Sequence, residues 1–372
     1  QKRKYSFILL IFLLEWHLVW AAVSGMETIF AAAIIMLFFV LLKNPLKHPF
    51  CTGFISAVGI WARPDLITLA GPLILVILTE IKGNSFQKKI LPTVLGFSLP
   101  ISLYLLFNYL TAGTPWPNTF YAKQAEYALL LEQPLVTRFS SLAIIPLTGV
   151  GAVLLPGWLY AFYYGFKNRD WWLISAWLWS VGFVIIYSLK LPVTYQHGRY
   201  VIPVISVFIT TGILGWIQLL KLLGSSYKRI IVTTLLISAI LIQGIFLFRG
   251  ARAYATDVGI IETEMVSAAR WIESNTDQND VIAAHDIGAL GFFSSRPIVD
   301  LAGLISPEVI PIIRDENLLL KLIFEKNAAY LVTFPDWYPK ITAKLPQIYT
   351  TNGGISPASG GENMTIYSII SD

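Results

Sequence analysis

The sequence predicts a polytopic α-helical membrane domain of about nine transmembrane helices, followed by a small α/β extracytoplasmic domain. Composition is the first observation behind this prediction: of the 372 residues, 55% are hydrophobic and 13% are charged. Soluble domains usually carry about 25% charged residues. A chain so poor in charge could not cover a water-facing surface, which excludes a soluble enzyme, a nucleic-acid-binding module and a disordered protein.

The distribution of charge is the second observation. Residues 1–249 hold 19 Lys and Arg against 7 Asp and Glu, whereas residues 250–372 hold 8 against 15. This shift predicts a boundary near Arg249, with a transmembrane domain at 1–249 and an acidic, soluble α/β domain at 250–372. The second domain is long enough to bury a core of its own. The single cysteine, Cys51, excludes a disulfide framework and any clustered-thiol metal site.

The third observation is a series of apolar stretches that could cross the bilayer, which takes about 20 helical residues. The predicted spans are 5–22, 26–42, 50–62, 65–80, 90–110, 139–166, 171–189, 200–220 and 230–248. One set of connecting loops holds thirteen Lys and Arg, and the opposite set holds five. The positive-inside rule places the richer set in the cytoplasm. The segments 23–27, 63–65, 111–138, 190–199 and 250–372 are then expected to face outward.

Residues 250–372, the tail, alternate between short apolar runs and segments with helical periodicity. This alternation predicts a small α/β layer. The predicted strands are 281–284, 298–301, 329–333 and 365–370, and the predicted helices are 256–275 and 318–324. The glycine-rich stretch at 353–361 lacks a following helix, so we interpret it as a loop and not as a phosphate cradle. Asp286 and Asp300 each stand at the end of a predicted strand, where an aspartate usually caps the next turn or helix.

The first polar outward segment is Ser24-Gly25-Met26-Glu27-Thr28, between the first two spans. In one interpretation Ser24 and Glu27 form a capping box for the next helix. In the other, the Glu27 carboxylate faces a cleft at the membrane surface and acts on a hydroxyl or a cation, since ionisable residues in membrane proteins are functional candidates by default.

The second segment is Ala62-Arg63-Pro64-Asp65. Pro64 and Asp65 suit the first turn of a helix, which leaves Arg63 to be explained. Its guanidinium either snorkels to the lipid boundary or binds phosphate, whose geometry its fork matches.

Two further outward segments combine aromatic and polar residues. Residues 114–123 hold two prolines, which make the backbone rigid, together with Asn118, Thr119 and Lys123. Residues 195–200 place His197 and Arg199 between two tyrosines, a mixture suited to an anion or a sugar; an interfacial hydrogen bond is the alternative for His197. The four histidines show no metal-ligand spacing, so no histidine-built metal site is predicted.

The four segments together resemble bacterial membrane glycosyltransferases of the C superfamily. The resemblance is nearest to the arabinofuranosyltransferase-like branch, which uses polyprenyl-phosphate sugars. It rests on Ser24–Thr28, Ala62–Asp65, His197–Tyr200 and above all Pro117–Lys123, and it extends into the tail at 284–293 and 299–304. It covers nearly the whole chain, in order.

The resemblance implies a glycosyltransferase (hexosyl or pentosyl) of the bacterial inner membrane, with the C-terminal domain outside. It would transfer a sugar from a polyprenyl-phosphate donor to an extracytoplasmic glycan or lipid acceptor by a single inverting displacement. Among the outward residues of this chain, Glu27 is the candidate for the carboxylate that deprotonates the acceptor hydroxyl. We expect the donor phosphate to be bound by Arg63, Lys123, His197 and Arg199. We expect the substrate to contact Asn118, Thr119, Tyr121 and Tyr200.

One departure from the family concerns the catalytic acid. Enzymes of this superfamily generally keep an essential acidic residue in the first outer loop, and no such loop precedes Tyr5 here. The resemblance therefore implies a fragment whose catalytic Asp lies upstream. A divalent cation could balance the donor phosphate, although no ligand set is visible. A lipid-linked sugar transporter or flippase, and a non-catalytic membrane scaffold, are the alternative functions.

Overall fold

The computed structural model describes residues 9–45, 47–80 and 86–369. Its contacts divide the chain into two compact units. Unit 1 comprises Gln1–Trp116 and Leu129–Ala251, and unit 2 comprises Pro117–Ala128 and Arg252–Asp372. Residues 117–128 thus pack with the C-terminal part of the chain. The functional division predicted at 249/250 stays a prediction.

Most of the described chain is helical. In order, the helices are α1 (Trp16–Val23), α2 (Thr28–Leu42), α3 (Pro49–Ala62), α4 (Ala70–Glu80), α5 (Phe86–Ala112), α6 (Asn118–Glu126), α7 (Leu135–Ala143), α8 (Gly151–Asn168), α9 (Trp171–Lys190), α10 (Ile202–Leu219), α11 (Ser225–Ile260), α12 (Ser267–Asn275), α13 (Ile287–Ser294), α14 (Glu316–Glu325), α15 (Pro339–Thr342) and α16 (Ile355–Ala358). Short 3₁₀ helices precede α4 and α8, at Pro64–Leu69 and Ile145–Leu147. A π-helical turn, Ile261–Val266, joins α11 to α12.

Four helices of the described chain are long and apolar enough to cross a membrane. They are Ile90–Ala112, Trp171–Lys190, Ile202–Leu222 and Ser225–Asn275. A fifth candidate is the pair Leu135–Leu147 and Gly151–Asn168, which is bent by 106°. The helices Thr28–Leu42, Pro49–Ala62 and Pro64–Thr79 are apolar but shorter. The membrane-type helical fold is therefore confirmed, whereas the count of nine spans is not.

Two predicted spans are interrupted by local backbone geometry. Within the span predicted at 139–166, Pro146 and Gly149 separate α7 from α8 and Gly149 adopts a φ of +113°, so the two helices form a bent pair and one continuous span is not confirmed. In the span predicted at 5–22, Glu15 is extended and caps α1, which begins at Trp16. Residues 5–8 of that span, and the basic residues at 2–4, lie outside the described residues.

Unit 1 is held together where helices approach closely at small residues. A Cβ built on Gly215 of α10 would lie 1.7 Å from the carbonyl oxygen of Gly157 on α8, and one on Gly157 would lie 2.3 Å from the carbonyl oxygen of Gly212. Beside this contact, the indole Nε1 of Trp216 donates to the carbonyl of Val153 at 3.0 Å. Such backbone-to-backbone packing stabilises helix pairs in membranes, where apolar side chains gain little by leaving lipid.

Unit 2 contains a five-stranded sheet. Its strands are β1 (Val281–Ala284), β2 (Ile298–Asp300), β3 (Ala328–Thr333), β4 (Gln347–Thr350) and β5 (Thr365–Ser368), in the spatial order β2-β1-β3-β5-β4. β1 is parallel to β2 and β3, whereas β5 is antiparallel to β3 and β4. The four predicted strands and the two predicted helices are confirmed. β4 was not predicted, because its short sequence is polar and partly exposed.

Side chains alternate between two cores on the two faces of this sheet. Ala283 and Leu331 pack with Leu319 and other residues of α14 and its neighbours, whereas Ile282 packs with Ile272 of α12 on the opposite face. Helices therefore cover both faces of the sheet.

The close approach of α8 and α10 predicts the cost of adding one methyl group. Gly215→Ala should lower the midpoint of thermal unfolding in detergent, because the new Cβ would overlap the backbone of α8. Gly182→Ala in α9 is the matched control, since nothing lies within 4 Å of its Cβ position and alanine favours helix. Equal midpoints for the two variants would contradict the packing described.

Candidate functional site

The Arg63 side chain is buried in unit 1 and is 4% exposed. Its Nε and Nη2 donate to the two carboxylate oxygens of Asp65 at 3.1 and 2.5 Å, and Nη2 also contacts the Tyr187 hydroxyl at 3.1 Å. The hydroxyl of Tyr187 donates in turn to Asp65. Arg63 therefore does not snorkel, and it forms a bidentate pair with a carboxylate inside the protein.

Local sequence explains this arrangement. α3 ends at Ala62, and Arg63 is extended, with a φ of −151°. Pro64 then begins the 3₁₀ helix, as predicted, and Asp65 lies in its first turn. Two residues therefore suffice to bring the carboxylate back onto the guanidinium. The partner on α9, Tyr187, could not be predicted, because it is 124 positions along the chain from Arg63.

Arg63 also holds the segment that leads into α10. Its Nη1 donates to the carbonyl of Arg199 and its Nη2 to that of Tyr200, both at 3.4 Å. The Tyr200 ring stacks on that of Tyr187, with centroids 5.6 Å apart. The structure thus brings three predicted site residues, Arg63, Arg199 and Tyr200, into one cluster in unit 1.

The turn that presents Arg199 is strained. Gln196, His197 and Gly198 are consecutive residues with left-handed φ values of 50°, 55° and 72°. This conformation costs about 1–2 kcal/mol for each non-glycine residue. Strain of this kind persists where the surroundings enforce it, and it clusters at functional sites.

The Arg199 guanidinium is bracketed by aromatic rings and retains an unused donor. Its Nη1 donates to Gln196 at 2.7 Å and its Nη2 to the Tyr200 hydroxyl at 3.1 Å. It lies 4.9 Å from the ring centroid of Tyr200 and 5.6 Å from that of Tyr195. Its Nε is buried and has no hydrogen-bond partner among the described residues. A buried N–H without a partner is rare, which makes this group a candidate to receive a ligand oxygen.

His197 lies between two tryptophans of α1. Its ring meets the edge of Trp16 at 5.7 Å and that of Trp20 at 5.0 Å. The indole of Trp16 donates to the carbonyl of Thr148 at 2.9 Å. The tryptophans therefore enclose the strained residue and help to fix its conformation.

Glu27 is exposed and precedes α2 without capping it. The capping box with Ser24 is not formed, because Ser24 lies at the end of α1 and its hydroxyl accepts from the backbone N–H of Met26, while Glu27 takes the N-cap position of α2. The negative charge of Glu27 acts on both Arg63 and Arg199. The role of Glu27 as a base stays a prediction.

A buried ionisable pair in unit 1 was missed by the sequence analysis. Glu15 and His17 are 3% and 1% exposed, and the Glu15 carboxylate contacts His17 Nδ1 at 2.7 Å. The other carboxylate oxygen accepts from the backbone of Leu18, and His17 Nε2 lies 3.2 Å from the Thr148 hydroxyl. The pair thus connects the break before α1 to the break between α7 and α8. Two ionisable residues within one apolar run were the available sign.

The remaining predicted residues belong to unit 2. Asn118, Thr119, Tyr121 and Lys123 lie on α6. The ammonium of Lys123 pairs with Glu126 at 2.8 Å. The side chains of Asn118 and Thr119 form no hydrogen bond to another described residue. Convergence of Lys123 with Arg63 and Arg199 stays a prediction, because these residues lie in different units.

The Arg63 pair predicts a large effect of removing its carboxylate. Asp65→Asn should destabilise unit 1 by about 3–5 kcal/mol, since a buried charge would lose its partner. Tyr187→Phe should cost less, because it removes a neutral hydroxyl and leaves the ion pair. Chemical unfolding in detergent measures both variants. A smaller effect for Asp65→Asn than for Tyr187→Phe would contradict this account.

Comparison with known proteins finds a matching family model and similar solved structures. A model described as a domain of unknown function (DUF8728) matches residues 252–367. No curated protein matches the chain. The chain is similar to the crystal structure of ArnT from Cupriavidus metallidurans in the apo state, with a TM-score of 0.49 and 13% identity over 96% of this chain and 77% of that one. It is also similar to the same protein bound to undecaprenyl phosphate, with a TM-score of 0.49 and 12% identity over 97% and 78%.

Proposed function

We propose that this protein is a glycosyltransferase of the C superfamily. It transfers a sugar from a polyprenyl-phosphate donor to an extracytoplasmic glycan or lipid acceptor, at the outer face of the bacterial inner membrane. The proposal joins the sequence resemblance to the geometry of unit 1. The observation that carries it is the Arg199 guanidinium, which stands on a strained turn at the start of an apolar helix with its Nε unused.

The chemistry of Arg199 suits a phosphate monoester or diester. A guanidinium presents several N–H donors in one plane, and charge-assisted bonds to phosphate oxygens are stronger than neutral ones. The adjoining helix α10 is mostly apolar, as the environment of an isoprenoid chain requires. Arg199 would bind the phosphate of the donor and stabilise the charge that develops as it leaves.

The neighbouring residues would orient this group. The Arg63 guanidinium is already paired with the Asp65 carboxylate. Its role would be to hold the Arg199 and Tyr200 carbonyls in place. His197, enclosed by Trp16 and Trp20, would stand beside the phosphate. The Tyr200 hydroxyl accepts a hydrogen bond from Arg199, and this tyrosine would contact the substrate.

The transfer would proceed by a single displacement. The acceptor hydroxyl oxygen attacks the anomeric carbon while the bond from that carbon to the phosphate oxygen breaks, and the polyprenyl phosphate leaves with the bonding electrons. The configuration inverts. Glu27 would take the proton of the hydroxyl as general base. Lys123, Asn118, Thr119 and Tyr121 stay proposed substrate contacts supplied by unit 2.

The role of Arg199 can be tested on the lipid product. Arg199→Ala should weaken the binding of a synthetic short-chain polyprenyl phosphate by about tenfold or more, because a charge-assisted contact is lost. Arg199→Lys should recover only part of this loss, since it restores the charge without the fork. Titration calorimetry in detergent measures the three affinities.

The control for this experiment is Arg229→Ala, which removes an exposed cation from α11. Its affinity should equal that of the parent protein. If Arg199→Ala also bound the lipid phosphate as tightly as the parent protein, the phosphate would bind elsewhere and the proposed site would be lost.

A second candidate function is a transporter or flippase for a lipid-linked sugar. The observation that favours it is the buried Glu15–His17 pair, which connects two interrupted helices. Interrupted helices and buried ionisable residues are frequent where membrane transporters bind substrates or protons.

The two candidates predict different outcomes in liposomes. With a fluorescent polyprenyl-phosphate sugar, a transporter should move label between leaflets without an acceptor, and Glu15→Gln should slow that movement. A transferase should instead release polyprenyl phosphate only when an acceptor is present. Movement of label that is unaffected by Glu15→Gln would remove the argument for the transporter.

A further inference from the structure

The carboxyl edge of the three parallel strands in unit 2 forms a second polar cluster. β1 is followed by His285 and Asp286, β2 ends at Asp300, and β3 leads to Trp337 and Tyr338. In sheets with parallel strands, ligands bind in the crevice beyond the carboxyl ends. Helix α6 packs on this region within the same unit, with Ala122 fully buried.

The two aspartates at this edge differ in their partners. The Asp300 carboxylate accepts from the backbone N–H groups of Ala302 and Ile305, both at 2.8 Å. It caps the turn after β2, as predicted. Asp286 precedes α13 but caps nothing, and its buried Oδ2 has no hydrogen-bond partner among the described residues. The prediction of a structural cap is therefore wrong for Asp286.

The polar side chains around Asp286 form hydrogen bonds and ion pairs with one another. His285 contacts the Tyr338 hydroxyl through Nδ1 at 2.7 Å and Glu126 through Nε2 at 3.5 Å, while Glu126 also pairs with Lys123. Burial opposes ionisation of Glu126, but hydrogen bonds from His285 and Lys123 outweigh it and lower its pKa to about 2. Burial also raises the pKa of Asp286. Within the cluster, the Asp286 oxygen is left for a ligand.

The charges of these side chains restrict the kinds of ligand that could bind to Asp286. The Lys123 ammonium is already paired with Glu126, whereas the buried Oδ2 of Asp286 has no hydrogen-bond partner among the described residues. The Asp286 carboxylate would repel a phosphate, so the ligand must present hydrogen-bond donors to it. A carboxylate has two acceptor oxygens, which suit two adjacent hydroxyls. The Trp337 ring beside His285 is 41% exposed.

We propose that unit 2 binds a carbohydrate at this edge, with a vicinal diol donating to the Asp286 carboxylate and the apolar face of the sugar ring against Trp337. The proposal concerns binding and goes beyond the proposed transfer reaction, since it does not depend on Arg199 or on a lipid donor. If the transfer proposal also holds, this subsite is suited to a glycan acceptor.

Saturation-transfer NMR on the full chain in detergent tests the proposal. The probes are the methyl glycosides of glucose, galactose, mannose and arabinose, each offered alone. At least one should show transfer to its ring protons, and its 2,3-di-O-methyl derivative should show none, because the diol is blocked. Asp286→Asn should weaken the affinity by about tenfold or more, through loss of a charged acceptor, and Trp337→Ala should reduce transfer to the ring protons.

Asp336→Asn is the matched control, since it removes an exposed carboxylate from the same edge and should leave binding unchanged. A shared thermal midpoint for the parent and the variants shows that unit 2 stays folded. Three results would overturn the proposal: no probe binds, Asp286→Asn binds as the parent does, or cyclohexylammonium displaces the sugar at equal concentration. The last result would identify a cation site. Arg199→Ala should not alter sugar binding, which separates this proposal from the transfer reaction.

Discussion

The candidate site in unit 1 depends on the burial of one positive charge. A guanidinium removed from water is costly unless a carboxylate and further acceptors compensate it. Arg63 meets this requirement with Asp65, the Tyr187 hydroxyl and two backbone carbonyls. The pairing couples the end of α3, the first turn of the 3₁₀ helix, the end of α9 and the segment before α10. Any displacement of these elements would leave charge unpaired, so the network specifies their arrangement more than it adds stability.

The strained turn before α10 is the consequence of that arrangement. Two left-handed non-glycine residues cost about 2–4 kcal/mol together, and the conformation persists because its neighbours leave no alternative. Gly198 lies against Ile145, where a Cβ would meet the side chain at 2.3 Å, and His197 is enclosed by two tryptophans. The result is a guanidinium, that of Arg199, held in one orientation before any ligand arrives. In the proposed reaction, such preorganisation would lower the reorganisation needed when charge develops on the phosphate.

The parts of the molecule that sequence predicted are those governed by local patterns. Strands β1, β2, β3 and β5 follow from short apolar runs, and Pro64 marks the start of its 3₁₀ helix. Contacts between residues distant in sequence could not be predicted. Nothing near Arg63 indicates Tyr187, and Glu15 and His17 were included in a predicted transmembrane span. Asp286 and Asp300 have the same sequence context, a strand end, yet only Asp300 caps a turn. The difference lies in the loop that follows, because residues 301–305 fold back onto the Asp300 carboxylate whereas α13 starts without using Asp286.

Residues 117–128 show why the extent of unit 2 is not given by its contiguous sequence. The segment lies between helices of unit 1 along the chain, and its prolines and aromatics suggested an interfacial loop. Its Ala125 nevertheless packs against the core of unit 2, and its Glu126 is the carboxylate that His285 contacts. A fragment limited to 252–367, the range of the matched family model, would lose both. The His285 ring would then face solvent on one side, and the polar cluster at the carboxyl edge would lack the anion that fixes the imidazole. The compact unit therefore requires α6, and the residues of α6 that sequence assigned to substrate must be understood first as part of this fold.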